Sequence, residues 1–139
     1  MLPTLLAGDV VTIAAQGNYA VGDILVFLYG DDELLIHRCI EADWDNQVYI
    51  CKGDNAFRLE KVDHEAILGK VITVSRNDLP VPLPEGEKLK RMCFLSKKVG
   101  RLWEDQYKWD NEALSRSFYC RLYRSIYPPA SVSTNRKEE

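Results

Sequence analysis

"YICKGDNAFRLEKVDHEAILGKV" runs from Tyr49 to Val71 and sets the class of the fold. "QVYICKG" (47–53) is a short run rich in β-branched and aromatic residues, which reads as a strand. Lys52-Gly53-Asp54-Asn55 is turn chemistry. After an Asp at position 63, "AILGKVITVS" (66–75) reads as a second strand with an internal glycine. No helical period falls between them, so the segment is strand, turn, strand.

The same grammar continues toward the N-terminus. "DVVTIAA" (9–15), "DILVFLY" (23–29) and "ELLIHRCIEA" (33–42) are further strand candidates. "QGNYAVGD", "GDDE" and "DWDN" separate them as turns. Gly8, Gly22 and Gly53 mark turn backbones. Five short strands without intervening helices predict a mainly β domain over 1–76, a coiled antiparallel sheet or partial barrel. "NDLPVPLPEGE" (77–87) holds three prolines in six residues and reads as an extended linker. A helical extension follows over 88–127. Leu89, Met92 and Leu95 fall on one face of its first helix. Leu114, Phe118, Leu122 and Ile126 make an i, i+4 stripe on its second, with Asp110 as N-cap. Pro128-Pro129 ends the helix, and 128–139 reads as a disordered tail.

The 139 residues suit one domain with a small appendage. Residues 1–80 carry 6 Lys/Arg against 13 Asp/Glu, and 81–139 carry 12 against 8. An acidic first half and a basic second half point to two faces or modules rather than to nucleic acid. No apolar run approaches the roughly 18 residues of a membrane span, and no secretory leader is visible, which predicts a cytoplasmic protein. Cys39, Cys51, Cys93 and Cys120 form no C-x-x-C pair, so they read as buried free thiols rather than as zinc ligands. A Cys39–Cys51 bridge between neighbouring strands is the alternative, and a cytoplasmic setting argues against it. No cofactor or metal is called for. In the extension, Trp103, Trp109, Phe118 and Tyr119 interleave with Lys97, Lys98, Arg101 and Arg116. Either one face packs on the sheet with the cations in water, or the extension offers a surface to a protein partner or a membrane.

"LLIHRCI" places His37, followed by Arg38, in the middle of an apolar strand. Alternation along the strand sends Arg38 to the face opposite His37, where it pairs with an acid. His64 follows Asp63 in a loop and reads as a solvated neighbour.

In order, Met1, Pro3, Thr4, Gly8-Asp9, Gly22-Asp23-Ile24, His37-Arg38, Lys52-Gly53-Asp54-Asn55, Asp63 and Gly69-Lys70-Val71 resemble the signal peptidase I family. That family shares its serine-peptidase fold with the self-cleaving SOS repressors. The resemblance covers residues 1 to about 75; nothing matches 76–139. It implies a Ser–His(–Asp) endopeptidase of the subtype that carries His where the commoner bacterial enzymes carry Lys. A His base suits neutral pH. It implies His37 as base, Asp63 or Asp54 as the acid that orients it, and Met1, Pro3 and Thr4 at the substrate side. The nucleophilic Ser of the pattern falls just before Met1, so the chain as written is expected to be inactive. Thr4 is a poor replacement, because Pro3 aims it elsewhere. The substrate would be an extended peptide or protein laid along a sheet edge. The alternative is an inactive pseudo-peptidase that binds a peptide or a partner protein. An SOS-type repressor would need a DNA-binding domain that this sequence does not show.

Overall fold

The computed structural model of the protein describes Met1 and residues 4–126. Seven strands form one antiparallel sheet: β1 (Val10–Ala14), β2 (Ile24–Tyr29), β3 (Glu33–Asp43), β4 (Val48–Lys52), β5 (Glu60–Asp63), β6 (Ile67–Arg76) and β7 (Leu79–Pro80). Their order is β1-β6-β2-β3-β4-β5, with β7 also on β6, so the sheet is open. Three helices follow: α1 (Gly86–Leu102), α2 (Asn111–Ser115) and α3 (Phe118–Ile126). The mainly β reading with a helical C-terminal part holds at this level. Among the described residues, no helix is long and apolar enough to cross a membrane.

Strand alternation gives the sheet two cores. Leu25, Phe27, Cys39, Tyr49, Cys51 and Val62 pack with Tyr19 on one face. Ile24, Val26, Val71 and Val74 pack on the other, with Met1, Leu5 and Ile36 against them. Full burial of side chains such as Leu25 and Phe27 stabilises the fold by about 1.5–3 kcal/mol each. The four cysteines are buried free thiols. Cys39 and Cys51 stand opposite each other across β3 and β4. The Cys39 thiol and burial together push the Cys51 thiol far up, so it stays protonated.

The helices build a third cluster from Met92, Leu95, Val99, Leu114, Cys120 and Tyr123. Leu89 of α1 presses on Gly22, and Gly100 lies against Leu59 and the Lys52 stem. The absence of a side chain at position 100 is what allows α1 this close to β4.

Several expectations change. The stretch between β4 and β6, read as turn, carries β5, which pairs with β4. The supposed linker starts as a hairpin: Asn77 and Asp78 adopt positive φ, and Arg76↔Leu79 and Ser75↔Pro80 pair. Short polar residues tolerate this left-handed turn, and the proline sits on a two-residue outer strand, where its missing N–H costs little. The second helix breaks at Arg116–Ser117, where Arg116 N–H and Ser117 N–H bond back three residues to Ala113 and Leu114. Ser117 Oγ then accepts from Cys120 N–H and starts α3. The break rotates the face, so Leu114, Cys120 and Tyr123 are buried while Phe118 is 64% exposed and Leu122 38%. Tyr127 and the 128–139 tail lie outside the described residues.

Gly22 has φ +103°, and a Cβ there would come 2.9 Å from Leu89 Cδ2. Gly22→Ala should therefore lower stability by about 1–3 kcal/mol, read as a lower urea midpoint with unchanged slope.

Candidate active site

His37 lies on β3 opposite Leu25 of β2. Its ring meets Phe27 edge-to-face at 6.2 Å between centroids. Nδ1 is 2.6 Å from Oε1 of Glu60. Glu60 reaches this point because it pairs with Cys51, which pairs with Cys39, two residues along β3 from His37. The Glu60 carboxylate is buried, and its second oxygen accepts from Arg58 Nε at 3.2 Å. Arg58 in turn lies over the Tyr29 ring. A buried carboxylate with two charge-capable partners avoids the cost of an unpaired one. With Nδ1–H donated to Glu60, Nε2 carries the lone pair. That nitrogen faces Gly53: a Cβ at position 53 would lie only 3.1 Å from it.

Arg38 points to the opposite face and is buried, as strand alternation requires. Its Nε and Nη2 donate to the two oxygens of Asp54, each at 2.8 Å, and Nη1 donates to Gly22 O. Thr4 Oγ1 donates to the same carboxylate at 2.6 Å. Asp54 thus ties β3 to the N-terminal segment. Met1 packs beside Ile24, Val26, Val71 and Val74. Burial lowers its amino group below the ordinary value, against the opposing pull of Asp54.

The acid on His37 is therefore Glu60, not Asp54 or Asp63. Asp54 is bonded to Arg38 and Thr4. Asp63 is exposed at the end of β5, because it alternates with the inward-facing Val62. Met1 and Thr4 come together around the Lys52–Asn55 turn, whereas Pro3 lies outside the described residues. The Thr4 hydroxyl is engaged with Asp54 rather than with His37. His64 is not in open solvent. It sits in a short 3-10 turn (His64–Ala66), with its ring 5.5 Å from Tyr19 and 6.1 Å from Tyr49.

Lys52, which opens this turn, is buried. Its side chain runs inward between sheet and helices. Nζ donates to Ser96 Oγ at 2.8 Å and to Gly53 O at 3.2 Å, and lies over the Tyr123 ring. Burial pushes this ammonium down to about 8, against the stabilising charge of Asp54. Tyr123 Oη donates to Asp54 O at 2.7 Å. Burial first, and Asp54 next, raise the Tyr123 phenol, so it remains a donor.

No known family, curated protein or solved structure matches the chain.

Asp54→Ala would leave Arg38 buried and stripped of its carboxylate, so it should cost about 3–5 kcal/mol of unfolding free energy. Asp63→Ala should stay within about 0.5 kcal/mol. Denaturant titration of the two variants separates their roles. Lys52 also dictates a pH dependence. Its native pKa lies below its unfolded one, so the unfolded chain binds the extra proton between pH 8 and 10.5. The stability difference between the parent and Lys52→Met should therefore shift in the parent's favour as pH rises through that window, and stay level below about pH 8.

Proposed function

We propose that this chain carries the base half of a signal-peptidase-like serine endopeptidase. His37 is the general base, Glu60 orients it, and the family pattern puts the nucleophilic Ser at the position directly before Met1. The observation that carries the reading is the 2.6 Å Nδ1–Glu60 contact, which leaves Nε2 as the ring nitrogen not engaged by Glu60, beside Gly53. Thr4, which would follow the Ser, bonds to Asp54 of the turn whose Gly53 meets His37. The ordered motifs from Met1 to Val71 support it independently.

In this mechanism Nε2 takes the Ser hydroxyl proton as the oxygen attacks the peptide carbonyl. Glu60 stabilises the resulting imidazolium. The proton passes to the departing amine, and water, activated by the same nitrogen, releases the acyl group. Nothing in this cycle needs a metal or an organic cofactor.

The test supplies the nucleophile. The chain should be prepared with Ser, or with Ala, directly before Met1, and treated with a fluorophosphonate. The Ser form should be labelled at that residue and the Ala form should not. His37→Ala should abolish labelling, and Glu60→Gln should slow it by about 10³–10⁴-fold. A folded Ser form that stays unlabelled overturns the proposal and leaves the peptide- or partner-binding module as the reading to pursue.

A further inference from the structure

We propose that the helical extension sets the geometry of the His37 site, with Ser96 and Tyr123 as positioning residues. The inference rests on the reading of His37 as the base. It concerns a part of the chain, beyond residue 76, to which the family resemblance does not extend.

The Lys52–Asn55 turn has two sides. One side is Gly53, packed against Nε2 so closely that a Cβ there would stand 3.1 Å away. The other side is held by the helices. Tyr123 of α3 donates to the Asp54 carbonyl at 2.7 Å. Ser96 of α1 receives the Lys52 ammonium at 2.8 Å, and the same ammonium donates to the Gly53 carbonyl. The Asp54 carbonyl is thus bonded from the helical side, and the Gly53 carbonyl takes both the Lys52 ammonium that Ser96 holds and the Ala56 N–H at 3.1 Å, while the glycine meets the imidazole.

Stability alone gives a weak account of this arrangement. Lys52 is only 1% exposed, and its direct hydrogen-bond acceptors are neutral oxygens. A buried ammonium so placed is costly, and an apolar residue of similar size would serve a core better. What the ammonium adds is direction: together with Ala56 N–H it holds Gly53 O, and Ser96 holds the ammonium in turn. A reaction centre is sensitive to displacements well under about 1 Å, so a turn released on its helical side would change the space at Nε2.

Tyr123→Phe removes one oxygen and keeps the ring. Ser96→Ala removes the Lys52 partner. Ser125→Ala, on the exposed side of α3, is the control. In the chain as it stands, the ring-nitrogen NMR signals of His37 should shift in Tyr123→Phe and Ser96→Ala, and stay in place in Ser125→Ala. In the form preceded by Ser, the same two variants should lose about tenfold or more in kcat toward a peptide with KM within about twofold. Folded variants whose His37 signals coincide with the parent's overturn the inference. If Ser96→Ala does not fold, Tyr123→Phe decides alone. If the Ser-preceded form proves inert, the peptidase reading fails, and the His37 signals still judge the coupling separately.

Discussion

The buried Arg38–Asp54 pair is the constraint on which the rest of the molecule hangs. Its two 2.8 Å hydrogen bonds join the middle of β3 to the turn after β4. Through the third guanidinium bond it fixes Gly22 ahead of β2, and through Thr4 it fixes the N-terminal segment. Planar two-point pairing is what a guanidinium does and an ammonium does not, so a lysine at 38 could not hold the same four segments in register. His37 is the next residue along. Its placement follows from that of Arg38, because neighbours on a strand have no independent freedom.

A division of labour follows across β3. One face carries the paired side chains of the candidate site: His37 and, beyond it, Glu60, Arg58 and Tyr29. The other carries architecture: Arg38, Ile40 and the contacts with the helices. Each face buries charge, but differently. Glu60 has a partly exposed counter-ion in Arg58, whose side chain is 55% exposed. The Arg38–Asp54 pair is sealed, and its members satisfy each other. Lys52 follows neither pattern, since neutral oxygens and a ring receive it.

Five of the seven strands were legible because turn residues separate their β-branched and aliphatic runs. His37 and Arg38 on opposite faces followed from period two alone. Glu60 was not found, since β5 is only four residues long and lies in a stretch rich in turn formers. A signal was present: Val62 is the apolar member of Glu60-Lys61-Val62-Asp63, so the residue two before it faces inward and the one after it outward. Lys52 escaped for another reason. Nothing local marks a lysine as buried; Ser96 and Tyr123 lie far along the chain. The face of α3 was misjudged because its stripe was read through Arg116–Ser117 as one continuous helix, and a single tightened turn rotated everything after it.

The bonds that close the turn join residues far apart in sequence: Thr4 with Asp54 over 50 positions, and Tyr123 with Asp54 over 69. Loops of that length close late, because their entropy is lost before the contact is gained. During synthesis the chain emerges from its N-terminus, and the sheet can pair before α3 exists. Until Tyr123 has left the ribosome, the Asp54 carbonyl lacks its helical partner, and a nascent chain carries His37 beside a turn held by Arg38 but not yet from its helical side.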